Sequence, residues 1–246
     1  MILQTFNLSK FFEGLKALDG VSISVPRDSL TLIIGPNGSG KTTFINTVTG
    51  FYRADGGRVE YEGKDITNLP PHRIFSEGIV RTFQISRPFK KLTVLENMLI
   101  PLNNPGERIR NTFIKNWIDF EREQVEKAYE ILEFLNIDHL TFEKAETLSG
   151  GQLRLLEIGK ALMTDAKLIA MDEPLAGVAP SLAHEILKKI RELCESGKTF
   201  LIVEHRLDII LDYADKIYVM GNGKVIAEGG REVIEKPEVV EVYLGA

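Results

Sequence analysis

Residues 30–50 constrain this chain more than any other stretch. A strongly apolar run, Leu30–Ile34, leads into Gly35-Pro36-Asn37-Gly38-Ser39-Gly40-Lys41-Thr42-Thr43, and the segment closes at Gly50. The apolar run has the character of a strand buried on both faces. The glycines after it let successive backbone N–H groups curl around an anion with no Cβ in the way. Lys41 adds a positive charge that can reach β- and γ-phosphate oxygens, and the Thr42 hydroxyl can join the shell of a Mg2+ ion. Lys41–Thr49 reads as a helix stopped by Gly50, with the positive end of its dipole facing the same anion. A longer or shorter loop would misaim the amides. A chance Gly-rich turn ending in lysine arises about once in a hundred chains of this length. Placement between a buried strand and a helix lowers those odds further. The order strand, turn, helix opens a doubly wound α/β sheet that binds a nucleoside triphosphate, ATP or GTP.

The bulk properties narrow the context. The chain has 246 residues, 43% hydrophobic and 26% charged, enough for one α/β domain with an attached lobe and too few for two full-size domains. Its 30 basic and 35 acidic side chains give a net charge of −5, which argues against binding nucleic acid through bulk charge. A single cysteine, Cys194, excludes an intrachain disulfide and a Cys-rich metal site, and its apolar surroundings predict a buried or half-buried thiol. No apolar run approaches the roughly 18–20 residues that cross a bilayer. The start, Met1-Ile2-Leu3-Gln4-Thr5-Phe6, lacks the basic flank and apolar core of a signal peptide. The expectation is a cytoplasmic protein whose membrane role, if any, comes through a partner.

Around the loop, periodicity predicts strands at Ile2–Leu8 and Val21–Val25, and a hairpin from Val59–Tyr61 to Asp65-Ile66. The middle of the chain changes character. Pro88, Pro101 and Pro105 interrupt it, and Arg87, Lys90 and Lys91 give it local positive charge. Val125, Ala128, Leu132 and Leu135 share one face of a helix over Asp119–Leu135, and a second helix starts at Ser149. From Lys167 the α/β rhythm returns, with buried strands at Leu168–Met171 and Thr199–Val203 around a helix at Leu182–Leu193. Lys216–Met220 and Lys224–Ala227 flank Gly221-Asn222-Gly223 as a hairpin.

Two further segments carry chemistry of their own. Ser149-Gly150-Gly151-Gln152 forms a capping box, Ser149 with Gln152 three residues on, and its bare glycine amides create a second anion site. The apolar strand at Leu168 ends in Asp172-Glu173, a carboxylate pair suited to holding a metal shell and polarising a water.

Together these segments resemble the ABC ATPase family, whose motifs follow in the same order along essentially the whole chain. Leu148-Ser149-Gly150-Gly151-Gln152 is identical to the family signature, and Leu168-Ile169-Ala170-Met171-Asp172-Glu173-Pro174 resembles its Walker B strand. The resemblance implies a P-loop NTPase fold of class α/β, with a RecA-like core, an N-terminal antiparallel β region and an inserted helical subdomain. It places the nucleotide-binding core at residues 1–86 and 161–246 and the helical signature subdomain at residues 87–160. It assigns ATP to Gly35–Thr43 of one subunit and Ser149–Gln152 of another, Mg2+ to Thr42, Gln84 and Asp172, and the general base to Glu173. Gln84, after Val80-Arg81-Thr82-Phe83, matches the Q-loop, and His205 matches the switch histidine that touches the γ-phosphate. Phe12 matches the aromatic that stacks on adenine, with Phe11 as the neighbour that could take its place. One departure stands out: the family usually has Ser-Ala-Leu-Asp at the D-loop, and this chain has Ala176-Gly177-Val178-Ala179. Ala179 cannot make the carboxylate contacts across the dimer.

Within the family the chain looks most like the ATPase subunits of branched-chain amino-acid importers. Arg81-Thr82-Phe83-Gln84, the insert over residues 103–120, Glu173-Pro174-Leu175-Ala176-Gly177-Val178-Ala179-Pro180 and the ending Pro237–Gly245 carry that likeness. It implies transmembrane permease subunits, a second ATPase subunit (a copy or a paralogue), and indirectly a periplasmic or extracellular substrate-binding protein, with no nucleic acid. The cassette would sit peripherally on the cytoplasmic face of the membrane. Urea or amide uptake, lipopolysaccharide export and a cytosolic ATPase without a transport role are the alternatives.

Overall fold

The order of elements follows directly from where the chain can bury strands on two faces. In the computed structural model, residues 1–82, 88–102, 116–205 and 207–244 are described. They fall into two units: Met1–Gln84 with Ala166–Ala176 and Pro180–Ala246, and Ile85–Asp165 with Gly177–Ala179.

The first unit begins with β1 (Leu3–Phe12), β2 (Leu15–Val21) and β3 (Ser24–Val25), then β4 (Leu30–Ile34) and α1 (Lys41–Val48). β5 (Gly56–Tyr61), β6 (Lys64–Asp65), α2 (Pro71–Ser76) and β7 (Ile79–Thr82) complete its N-terminal half. The antiparallel sheet has the order β2-β1-β5-β6, with β3 also on β1. The expected single strand over Val21–Val25 is divided, and the cause is Thr5. Its hydroxyl donates to the Val21 carbonyl at 3.2 Å and accepts from the Ile23 N–H at 2.9 Å, taking the place of a ladder bond.

The second unit holds α3 (Val94–Leu99), α4 (Asn116–Phe134) and α5 (Gly150–Met163). Along α4, Ala128 and Leu132 are buried and Val125 half-buried, as the apolar spacing predicts, and Asn136 in the left-handed region (φ 58°) follows its end. α3 opens on a capping box, the Thr93 hydroxyl accepting from the Glu96 N–H while the Glu96 carboxylate accepts from the Thr93 N–H. Gly159 of α5 packs against α3, where a Cβ would stand 2.8 Å from the Met98 sulfur and require that side chain to move.

The chain then returns to the first unit with β8 (Leu168–Asp172), α6 (Pro180–Glu195), β9 (Thr199–Val203), α7 (Leu207–Ile210), β10 (Lys216–Gly221), β11 (Lys224–Gly229) and α8 (Pro237–Leu244). The second sheet has the order β11-β10-β4-β9-β8-β7. Its neighbours from β10 to β7 pair in parallel, and β11 adds an antiparallel edge. β4, β8 and β9 are buried at every residue, the pattern of strands covered on both faces. α6 turns Ala183, Ile186, Leu187, Ile190 and Cys194 into the core. No helix among the described residues is long and apolar enough to cross a membrane.

Candidate nucleotide-binding site

β4, β8 and β9 are adjacent and parallel, so their carboxyl ends deliver three loops to one edge of the sheet, where open α/β sheets take ligands. The loop after β4 is held tightly from behind. Gly35 has φ 150° and Gly40 φ 103°; a Cβ on Gly35 would meet the Met220 carbonyl oxygen at 2.2 Å, and one on Gly40 the Ala17 carbonyl oxygen at 2.4 Å. Only glycine fits at either place. Asn37 and Gly38 are exposed at the tip, Pro36 is half-buried, and Ser39 is buried with a hydroxyl that has no hydrogen-bond partner. α1 starts from Gly40 with no side-chain cap, which leaves its first-turn N–H groups available to an anion. Thr43 is half-buried on this turn and its carbonyl accepts from the Thr47 hydroxyl.

Lys41 is buried and folds back over its own loop, its Nζ donating to the carbonyls of Gly35 at 2.7 Å and Pro36 at 2.9 Å. Burial holds its pKa below the ordinary lysine value, and the nearby Glu173 and Asp172 charges oppose that shift. The Thr42 hydroxyl, exposed at the first turn, donates to Asp172 Oδ1 at 3.4 Å. Asp172 is fully buried at the end of β8. Desolvation raises its carboxyl pKa, and the Arg81 guanidinium, 3.4 Å from Oδ2, pulls it back down. Arg81 comes from β7 and also donates to Asn46 of α1, so one buried guanidinium ties the carboxylate to the helix behind the loop. Its involvement was not legible from the sequence, where Arg81 reads only as a flank to Gln84.

Glu173 follows Asp172 with φ 51°, a left-handed conformation that an L side chain rarely adopts. Its carboxylate is mostly buried, and Oε1 lies 3.7 Å from Nδ1 of His205, whose ring is half exposed beyond the end of β9. Beside His205 is a group that sequence reasoning passed over. Glu204 is fully buried, accepting from the Leu175 N–H at 2.8 Å and the His205 N–H at 3.0 Å. The signal was present, since β9, like β8, is an apolar run that ends in two ionisable residues.

At the rim, Phe12 and Phe11 are about equally exposed, at 39% and 41%. What separates them is support: the Phe12 ring packs edge-on against Tyr52 at 5.2 Å with the Lys10 ammonium over it at 5.1 Å, an arrangement that fixes its orientation. The Phe11 backbone N–H donates to Asp55.

In the other unit, Ser149 caps α5. Its hydroxyl accepts from the Gln152 N–H at 3.3 Å, and Gln152 Oε1 accepts from the Ser149 N–H at 2.8 Å. The amides of Gly150 and Gly151 are then first-turn donors with no acceptor inside the helix. Ser149 and Gly150 are exposed, Gln152 half-buried and Gly151 buried. Gln84 lies outside the described residues, as do Phe83, Arg87 and most of the insert at residues 103–120. In the stretch that departs from the usual D-loop, Gly177 has φ 71° and Ala179 is exposed.

The oxygen donors suit a hard divalent cation. Thr42 and Asp172 supply a hydroxyl and a carboxylate 3.4 Å apart, and no cluster of three or more His, Cys, Asp or Glu that could form an all-protein cage occurs among the described residues. That is the donor pattern of Mg2+, which takes one or two protein oxygens and completes its shell with phosphate and water.

The family model described as "ABC transporter" matches residues 18–176, well over half of the chain. The chain belongs to the ABC transporter family. It is an ATP-binding cassette subunit and an ATPase. A probable branched-chain amino acid transport ATP-binding protein of Archaeoglobus fulgidus is 63% identical to this cassette, covering 100% of the chain and 96% of the relative. A protein of the same description from Methanocaldococcus jannaschii is 58% identical, over 99% of the chain and 97% of the relative. The crystal structure of an ABC transporter ATP-binding cassette in its ADP conformation matches with a TM-score of 0.88 and 58% identity, covering 100% of this cassette and 99% of that chain. The expected fold, an ABC ATPase architecture on mixed α/β sheets, is the fold observed.

Proposed function

We propose that this cassette binds ATP and Mg2+ between its phosphate loop and the signature helix of a second ATPase subunit, and powers a branched-chain amino-acid importer. The Thr42–Asp172 contact carries the reading: an exposed hydroxyl on the anion-binding helix turn, beside a buried carboxylate from the adjoining strand loop. A phosphate-bound divalent cation needs those two donors side by side. When bound, Mg2+ would neutralise charge that builds on the β- and γ-phosphate oxygens.

The chain's own groups account for the remaining steps. The amides of Gly38–Thr43 and the Lys41 ammonium bind the phosphates, with Lys41 turning from the Gly35 and Pro36 carbonyls to the phosphate oxygens, and the side chain of Phe12 lies against the adenine. Glu173 takes a proton from water as its oxygen attacks the γ-phosphorus and the bond to the β–γ bridging oxygen breaks, giving ADP and inorganic phosphate. His205, within 3.7 Å of Glu173, donates to the γ-phosphate and senses its departure. Ser149, Gly150, Gly151 and Gln152 would meet the γ-phosphate held by the partner cassette, so that each nucleotide joins the two subunits until it is cleaved. Gln84 would complete the metal shell and couple the core to the helical unit.

The likeness to relatives described as branched-chain amino acid transport proteins supports the substrate class. It also supports a peripheral place on the cytoplasmic face of the membrane, against permease subunits, with a substrate-binding protein on the far side. Affinity purification of the tagged cassette from detergent-solubilised native membranes, followed by mass spectrometry, tests this. Recovery of a multi-span permease pair and a second ATPase is the expected result. Recovery of soluble proteins or nucleic acid alone, at yields that retain ATP binding, would overturn it.

A further inference from the structure

We infer that Glu204 is a positioning residue that locks the loop bearing Glu173 to the loop bearing His205. The inference rests on the reading of those two residues given above. Glu204 is fully buried at the end of β9, and its two carboxylate oxygens are divided between two strand-end loops. Oε1 accepts from the N–H of Leu175, two residues past Glu173, and Oε2 from the N–H of His205. The same Oε2 stands 3.9 Å from the His205 imidazole Nδ1. Its own backbone N–H donates to Ile33, on the strand that carries the phosphate loop, at 3.2 Å. One carboxylate thus spans the ends of β8 and β9 while its backbone is pinned to β4.

The chemistry makes a sharp demand. The Leu175 and His205 groups are both N–H donors, and an ionised carboxylate presents only acceptors, so it satisfies the two at once. A glutamine of the same shape offers one acceptor and one donor. Its amide would set a donor against a donor at either Leu175 or His205, and one loop would shift. A buried charge kept only for packing would instead tolerate Glu204→Gln, because neutralising it removes a desolvation penalty.

The test compares Glu204→Gln, Glu173→Gln and wild type in the tagged assembly recovered from membranes, reading ATP turnover and, separately, affinity for a fluorescent ATP analogue. Glu204→Gln is expected to lower kcat by about a hundredfold, the scale of a small misplacement of reacting groups, with nucleotide affinity unchanged. Wild-type kcat in Glu204→Gln, beside an inactive Glu173→Gln, overturns this inference alone. Wild-type kcat in Glu173→Gln overturns the underlying reading of the site. Hydrogen exchange on the unmodified protein gives an answer even if the variant does not fold. The Leu175 and His205 amides are expected to exchange as slowly as those of the core strands, and exchange of Leu175 at exposed-loop rates overturns the lock.

Discussion

The backbone N–H of Glu173 donates to the Val203 carbonyl at 2.9 Å, while Glu173 itself holds a φ of 51°. The residue that leaves β8 is therefore secured to the last residue of β9 in a conformation that costs about 1–2 kcal/mol for an L side chain. Strain of this kind persists where surrounding bonds over-determine it, and here it aims a carboxylate at the space beyond the sheet.

That strain gives an inverted mutational order at residue 173. Glu173→Gly removes the unfavourable Cβ contact and Glu173→Ala retains it. The glycine variant is expected to be as stable as the alanine variant or more so, by up to about 1 kcal/mol, opposite to the usual helix or strand preference. Both should lose hydrolysis. Thermal unfolding of the two proteins side by side checks the order.

Glu173→Gln keeps the shape and the strain and removes the base. Its expected behaviour is ATP binding at near wild-type affinity, turnover reduced by about 10²–10⁴, and a dimer stabilised by uncleaved nucleotide. A monomer at saturating ATP in light scattering would count against the two-subunit sandwich.

Lys41→Ala removes the buried ammonium that the loop carbonyls now hold. A charge-assisted contact contributes about 1.5–3 kcal/mol, so ATP affinity should fall by roughly 10–100-fold, measured by calorimetry. Because burial already depresses the Lys41 pKa, the folded state gives up stability to keep it charged. The sign of the linkage is that of a depressed base: stability is fully present above the unfolded value and lost as pH falls through the folded one. Lys41→Ala should therefore reduce the loss of stability between high and neutral pH.

Ser149→Ala removes the capping box of α5 at an expected cost of about 1 kcal/mol to the folded state. The loss of turnover should exceed what that cost implies, since the same hydroxyl is proposed to meet the partner's nucleotide. A variant whose activity declines only in line with its melting temperature would reduce Ser149 to a cap.

Burial pushes the Cys194 thiol up to about 12 from its usual value near 9.0. It should resist alkylation in the native protein at pH 8 and react once denaturant exposes it, followed by mass spectrometry. Between those two values only the unfolded chain ionises its thiol, so this group's contribution to stability is intact below about 9 and declines as pH rises toward 12.

The parts of the fold that were legible are those with a local pattern: the strands buried on two faces, β4, β8 and β9, the one-faced helices α4 and α6, the capped helix α5, and the β10–β11 hairpin. β7 was not read as a strand because Arg81 interrupts its apolar residues. Its charge is met by Asp172, which lies 91 positions away in the chain. α2 and α3 have six residues each, too few for a helical period to emerge, although Thr93 and Glu96 spelled out a capping box. The phosphate loop was readable because its chemistry depends on local order. The place of Glu204 at the end of an apolar run was visible, but the two N–H groups it accepts from lie on different loops and leave no local pattern.

The phosphate loop also has a neighbour that never approaches a phosphate. A Cβ on Gly223, in the hairpin between β10 and β11, would stand 3.0 Å from the same Ala17 carbonyl that excludes a side chain at Gly40. A genetic screen for loss of transport would therefore return substitutions at Gly223 as well as at Gly40. One would be scored as a nucleotide mutant and the other as a second site in the hairpin, although both press on β2, at Gly40 against the Ala17 carbonyl and at Gly223 against those of Lys16 and Ala17, and the Gly223 N–H itself donates to the Ser39 carbonyl of the loop at 3.1 Å.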